Sequence, residues 1–383
     1  MATIKFVKKN ITNVLARKKG EIIFNPAIEH WKDDLFLCAY RVFIRYKDMI
    51  TRGKKVITDP LHNPQHPWLG GPGSEFYWQS KAGYDQTRIV LLQIKGGSVK
   101  LIREYGTIYG VDIRLFKLQD STFAVTGNMW VQGNDYKVKG GECNSGCMLM
   151  TVRTLTITSK NKIEISQGIV LCPQISGRIE KNWSLWKDST GDLLMSYGVS
   201  PRHEVFHLRV KGDIVECPKI TRILGENDFF GRVRLYYNNI VHISLSTPAI
   251  RMDSGNYVAF GHLKYKYKDI EKIGKESNLY KFNEILLQKS KFFHPIFVYL
   301  MYIYEFSPES PYDILRSSDM FMQESKFSLV FATDLTYSPP DNKYIVSYGD
   351  HDTECWLLAM SEKEIDQALQ VRDDPADVKF LLL

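Results

Sequence analysis

Ionisable residues recur in this sequence where an apolar strand residue would pack better: Asp112 with Arg114, Glu180 with Lys181, His262, and Asp350 with Asp352. A charge buried in a core is costly unless it is paired or used. Each of these residues therefore has two readings, as half of an ion pair between packed elements or as part of a polar pocket. Gathered in one place they would offer carboxylates to move a proton and cations to face an anion. Other chemistries have less to stand on. There is no P-loop and no GxGxxG leading into a helix, so nothing cradles a nucleotide phosphate in the usual way. Cys143 and Cys147 lie four apart, but two further zinc ligands of suitable spacing are missing. His62 and His66 sit in a Pro-rich stretch and read as solvated loop residues.

The elements that must position these residues follow a weak internal repeat. A turn carrying Asp, Gly or Asn is followed by a short apolar strand ending near Tyr, Gly, Arg or His, in five copies: 25–41, 112–128, 182–198, 247–262 and 332–349. Each copy reads as a β-hairpin around a polar turn such as Lys32-Asp33-Asp34 or Asp253-Ser254-Gly255. The intervals leave room for about four strands of about five residues per unit. Further strand-like runs lie between the copies, over 88–94, 149–157, 162–171 and the alternating stretch 205–215. Five such units in radial repetition predict an all-β, five-bladed β-propeller of four-stranded antiparallel blades with short helical additions. A pair of β-sandwiches or a β-solenoid is the alternative. Equivalent ends of the innermost strands then converge on one mouth of a central channel, however far apart they lie in sequence.

Helical periodicity is confined to three places. A polar and apolar stretch runs over 269–289, Ser361 and Glu364 have capping-box spacing before 362–370, and Ile4, Val7, Ile11 and Val14 form a stripe in the basic N-terminal segment. The organisation expected is a basic extension over 1–20 and one propeller domain over 21–383 ending in a short helix. The stretch 59–74, with Gly70-Gly71-Pro72-Gly73, reads as a long loop over one face.

Composition agrees with an ordinary globular chain: 383 residues, 44% apolar, 24% charged, and 50 Lys and Arg against 43 Asp and Glu. The mild positive excess is spread along the chain and favours anionic ligands only slightly. Aromatics at 13% suit a large β-structure or a sugar-stacking surface. Six scattered Cys do not form a disulfide framework, no apolar run reaches the roughly 18 residues of a membrane span, and no signal peptide opens the chain. A cytoplasmic location is the expectation, with no membrane span and no nucleic-acid partner.

Val111-Asp112-Ile113-Arg114-Leu115-Phe116 resembles the Glu-Asp-Pro-Arg-hydrophobic-Phe signature of the five-bladed-propeller family of inverting β-mannoside phosphorylases, with its hydrolase and β-mannosyltransferase relatives. Phe24-Asn25-Pro26 with Tyr40-Arg41 is similar to that family's opening blade. Glu180-Lys181-Asn182-Trp183, with Tyr197 and Pro201 to His203, resembles its Glu-Lys-Asn-Trp blade. Thr247-Pro248-Ala249 leading to Tyr257 and Gly261-His262, then Tyr348-Gly349-Asp350 with Asp352, complete the order. The likeness spans roughly 20–365 as short motifs in unlike sequence. It also departs from the family: Val111 and Ile113 replace the signature's Glu and Pro, Ser244-Leu245-Ser246 stands for Arg-Gly-Gly, and Arg202 is inserted between Pro201 and His203.

The resemblance implies an oligosaccharide or glycan substrate and no cofactor, with inorganic phosphate as co-substrate. It implies Asp112 as the general acid, delivering its proton to the leaving oxygen directly or through a sugar hydroxyl. It also implies a substrate site drawn from Arg41, Arg114, Lys181, Asn182, Trp183, His203, His262, Tyr348 and Asp352. Arg41, Lys181 and His262 would face an anion, Asp352 would hold sugar hydroxyls, and Trp183 or Tyr348 would offer the ring an apolar face. An inverting hydrolase would need a second carboxylate about 6.5 to 9.5 Å from the acid, whereas a phosphorylase needs one acid plus cations for phosphate. A nucleotide-sugar donor, with the same cations facing its diphosphate, stays open, as does a propeller that binds glycan or protein without catalysis.

Overall fold

The computed structural model describes residues 7–45, 83–108, 110–138, 141–166, 168–171, 182–211, 214–216, 218–219, 229–289, 297–322, 330–350 and 352–383. Ile4, the 59–74 loop with His62 and His66, Glu180 and Lys181 lie outside them, as do the side chains of Cys143 and Cys147. Blade 1 consists of the strands Glu21–Lys32, Leu35–Arg45, Gly83–Lys95 and Ser98–Ile108, in that order and antiparallel. Blade 2 starts with Val111–Gln119, Thr122–Val138 and Gly141–Ile157, to which the short strands Ile163–Ile165 and Ile169–Val170 add. Blade 3 is built on Val241–Leu245, Tyr257–Lys266 and Phe297–Phe306, with Met320–Met322 and a parallel C-terminal strand Phe380–Leu382 outside them. Blade 4 comprises Val330–Ser338, Lys343–Asp350 and Glu354–Met360, and takes Val7–Asn10 as its outermost strand.

Between blades 2 and 3 lies a small sheet of three strands, Ser184–Lys187, Leu193–Gly198 and Glu204–His207. This corrects the expected blade count. Among the described residues four sheets have four or more strands, so the propeller shows four blades and not five. The reason is visible in the alternating stretch 205–215, expected as one strand. After His207 the chain turns, the Leu208 N–H donates back to the Leu193 carbonyl at 2.9 Å, and Arg209–Lys211 pairs with Ile214–Glu216 as a separate ladder.

Innermost strands meet at the axis: Glu21–Lys32 packs on Val111–Gln119 and on Val330–Ser338, and the last two also touch each other. Blades flank one another, so their middle strands are buried on both faces and read as continuous apolar runs. Phe36, Leu37, Cys38, Ala39 and Tyr40 are fully buried in succession for that reason. The core is correspondingly a ring of layers. Ile23, Phe36 and Val90 meet Ile345 and Leu357 between blades 1 and 4, and Trp31 and Leu37 meet Leu115 and Phe123 between blades 1 and 2. Ala124 and Met150 meet Trp183 and Leu185 at the small sheet.

Two of the three helical expectations hold. The 269–289 stretch gives a 3-10 turn Tyr267–Lys272 and a helix α1 over Asn278–Lys289, and α2 over Glu362–Ala368 carries the Ser361/Glu364 capping box. Another helix, Phe229–Tyr236, was not legible in the sequence. The N-terminal stripe is corrected: Val7–Asn10 is a strand, pairing Val7 with Ala359 and Asn10 with Trp356. The open edge of Glu354–Met360 supplies a ladder that an isolated short helix could not match. Ile11 and Leu15 then plug the layer between blades 1 and 4. Among the described residues no helix is long and apolar enough to cross a membrane.

Candidate functional site

Every innermost blade strand carries an irregularity at the position where its sequence repeat begins. Register slips between Phe24 and Ala27 in blade 1, between Val111 and Arg114 in blade 2, and between Ala332 and Asp334 in blade 4. In blade 3 the N–H groups of Ser246 and Thr247 both donate to the Phe260 carbonyl at 3.1 Å. Such bulges re-aim side chains and end regular pairing. Asn25 and Asp112 sit in them with left-handed φ of 47° and 51°, and Asn182, just before the small sheet, has 66°. Asn and Asp are the residues that tolerate this conformation, which explains the Asx at the repeat starts.

Asp112 is the centre of the arrangement. Its Oδ1 accepts from the Asn25 side-chain amide at 3.1 Å and from the Arg41 guanidinium at 3.3 Å, while its side chain stays 19% exposed. Arg41 comes from the second strand of blade 1 and lies 4.9 Å from the Phe24 ring centroid. Arg114 is buried and its donors are spread over three partners. It donates to the Asp112 carbonyl at 2.9 Å, to Asn182 Oδ1 at 2.9 Å, and to the Ser246 carbonyl. Burial disfavours the guanidinium charge, and the nearby Asp112 and Asp334 carboxylates oppose that effect. Arg114 thus straps blade 2 to the small sheet and to blade 3. Ser184 continues the ring of contacts by donating to the Thr247 carbonyl at 2.5 Å.

His262 enters from blade 3. Its Nδ1 is 2.9 Å from the Ser246 hydroxyl, and its ring stacks on Tyr299 at 5.8 Å and meets the Phe331 edge at 5.0 Å. Burial raises the Tyr299 hydroxyl above its ordinary value, and the negative charges of Asp352 and Asp112 push it further the same way. Asp352, in the turn after Lys343–Asp350, and Asp112 are thus both within electrostatic reach of the Tyr299 hydroxyl. The structure therefore brings Arg41, Asp112, Arg114, Asn182, His262 and Asp352 into one neighbourhood.

Three predicted residues stand differently. Trp183 is 1% exposed, its ring tilted against Tyr197 at 5.1 Å, and Tyr348 is 2% exposed and stacked on Trp356 at 6.2 Å. His203 has both ring nitrogens engaged, with the Ser196 hydroxyl and the Tyr312 carbonyl at 2.8 Å each, and burial lowers its pKa to about 4. A neutral imidazole joining two chain segments is a structural tie. Three participants were not expected in the site from the sequence: Asn25, Tyr299 and Phe331. Asn25 opens the first repeat as Asp112 opens the second, and that equivalence was the usable signal. Tyr299 lies in a uniformly apolar strand and gave none.

Beneath the site the axis holds a second polar layer. Asp334 is fully buried and accepts from the Leu115 N–H at 2.9 Å and the Leu335 N–H at 3.0 Å. Glu29 accepts from the Thr336 hydroxyl at 2.7 Å and the His30 N–H at 2.9 Å. Burial pushes the Glu29 carboxyl up to about 7 and raises Asp334 well above its ordinary value. Among the described residues no three His, Cys, Asp or Glu gather to hold a metal ion.

No family model matches this chain, and no curated protein matches it. Solved structures do resemble it. The chain is similar to a candidate glycoside hydrolase from Bacteroides ovatus, with a TM-score of 0.52 at 12% identity, covering 94% of this chain and 97% of that one. A mannose phosphorylase from Leishmania mexicana in complex with phosphate gives 0.49 at 11% identity, covering 95% and 90%. The β-1,2-mannobiose phosphorylase from Listeria innocua gives 0.48 at 11%, covering 93% and 95%. The Bacteroides ovatus likeness, at 12% identity, speaks for the fold alone.

Proposed function

We propose that this protein is a carbohydrate-active enzyme that performs inverting glycosyl transfer on β-mannosides or similar hexosides, to or from phosphate, with Asp112 as general acid. The observation that carries the reading is the Asp112 constellation: one partly open carboxylate, held by Asn25 and Arg41 at the bulged start of an innermost strand, at the position the family signature gives its acid. A side chain so held is oriented before a ligand arrives, as proton transfer in a transition state requires.

In this reading Asp112 protonates the departing glycosidic oxygen, directly or through a hydroxyl of the sugar. Arg41 and His262 face the phosphate, Lys181 is assigned to the anion by the resemblance alone, and Asp352 takes sugar hydroxyls. Arg114 acts by holding the Asp112 backbone and Asn182, since its donors already have acceptors. Tyr299, stacked on His262 and half-buried, supplies the aromatic surroundings in place of the buried Trp183 and Tyr348. Were water the nucleophile, a second carboxylate would have to activate it, and Asp352 is the candidate for that part.

A second reading is favoured by one observation. Arg41 spends part of its charge on Asp112 at 3.3 Å, and a site whose acid and cation neutralise each other suits glycan binding without turnover. Incubating the protein with β-mannosides and other oligosaccharides, with and without phosphate, and with sugar 1-phosphates or nucleotide sugars plus acceptors, separates these. Sugar 1-phosphate formed only with phosphate supports the proposal. Free sugar without phosphate replaces it by hydrolysis, product from nucleotide sugar alone by a transferase, and glycan binding with no turnover by the second reading.

A further inference from the structure

Thr333 and Asp334, consecutive residues of blade 4, reach the two supports of Asp112 from across the axis. The register of Val330–Ser338 against Lys343–Asp350 slips between Ala332 and Asp334, and at such a bulge neighbouring side chains turn together out of the ladder. Thr333 is fully buried, with its hydroxyl against the Pro26 carbonyl and 3.0 Å from the Ser347 carbonyl. Pro26 follows Asn25, whose amide donates to Asp112. Asp334 accepts from the Leu115 N–H at 2.9 Å. Leu115 follows Arg114, whose guanidinium donates to the Asp112 carbonyl. Val111–Gln119 is innermost and paired along one edge only. Its inward N–H groups thus need an acceptor from elsewhere, and a buried N–H without one is costly.

The geometry points to the Thr333–Asp334 bulge as the positioning device for Asp112, Thr333 acting through Pro26 and Asn25, Asp334 through Leu115 and Arg114. The inference rests on the reading of Asp112 as the acid. Neither residue is exposed, so neither meets substrate. The groups around Asp334 are the Leu115 and Leu335 N–H, with the Arg114, Glu29 and Cys38 side chains within electrostatic reach. One strand of blade 4 thereby fixes both blade 1 and blade 2 at the residues that hold the acid.

Three variants test this: Thr333→Val, Thr333→Ser and Asp334→Asn, each checked for folding by thermal melt. The first readout is kcat and KM for the glycoside that the panel of β-mannosides and other oligosaccharides shows to be turned over. The second is the titration of the Asp112 carboxyl by carbon-13 NMR in aspartate-labelled protein, with Asp112→Asn assigning the resonance. Positioning predicts that Thr333→Val and Asp334→Asn lower kcat on the order of tenfold or more with KM within about twofold, and that Thr333→Ser recovers most of the loss. It also predicts a displaced Asp112 titration in the first two. Folded variants with unchanged kcat and an unchanged Asp112 titration overturn it. If the wild type turns over nothing, the functional reading fails and the titration alone decides: displaced supports the positioning, unchanged refutes it. Should Asp334→Asn not fold, the Thr333 pair decides by the same criteria.

Discussion

The two donors on Asp112 Oδ1 come from blade 1, whereas the strap on its carbonyl is Arg114, two residues along its own strand, so long-range contacts specify the side chain and a local one the backbone. Glu29 below it obeys a different constraint. Desolvation raises its carboxyl from 4.5 to about 7, against the hydrogen bonds from Thr336 and His30 and the charge of Lys117. The folded chain therefore holds that proton more tightly than the unfolded one, so stability is fullest below about pH 4.5 and falls as pH rises towards 7. At about 1.4 kcal/mol per pH unit the loss is on the order of 3 kcal/mol, with neighbouring Asp334 acting in the same direction. Glu29→Gln, whose Oε1 can still accept from Thr336 and His30, is expected to flatten the dependence of the melting midpoint on pH and to raise it at pH 8. An equal pH dependence in the variant counts against the assignment. Residue by residue, Asp112, Arg114, His262 and Asp352 stood out as ionisable groups in apolar context, whereas Arg41 entered only through the resemblance. Trp183, Tyr348 and His203 show the limit of that signal, since a sequence does not say which face of a ring or which nitrogen is already taken.

Bulges are the elements that make the site. They recur at the repeat starts, and each turns a short polar side chain toward the axis, which is why the repeat was visible as Asx or Thr before an apolar run. The close approach they create is severe at Gly349, where a Cβ would fall 2.1 Å from Asn25 Oδ1 and 3.0 Å from its N. Gly349→Ala is thus expected to cost about 1–3 kcal/mol and to lower turnover by displacing the residue that holds Asp112. A melting curve and a rate under the same conditions check both parts. Away from the site, Ser361 caps α2 with both bonds of its box in place. Ser361→Ala should cost about 1 kcal/mol and leave turnover unchanged, giving a control for stability alone. Capping residues are local, so that helix was readable. The helix Phe229–Tyr236 was not expected from the sequence, and its burial against blade 3 comes from tertiary contacts.

Over the whole molecule the ring is closed by Val7–Asn10, which adds the last strand to blade 4 from the far end of the chain. Removing residues 1–12 should lower the melting midpoint and expose the layer that Ile11 fills, read by calorimetry against the full chain. The all-β propeller was legible because period and turn chemistry repeat along the chain. The number of complete blades was not, because a sequence unit of the right length can end as three strands and a detached ladder, as 184–216 does. The closing strand was expected as helix because its apolar residues recur at steps of three and four, and only the open edge beside it decides for a strand. The account stands on Asp112 acting as the acid of a glycosyl transfer at this ring. The direct measurement is turnover of β-mannosides with phosphate by wild type and Asp112→Asn, with glycan affinity measured on both. The account predicts a rate lower by about 10²–10⁴-fold in the variant at similar affinity, and equal rates in the two proteins, or glycan binding with no turnover in either, would contradict it.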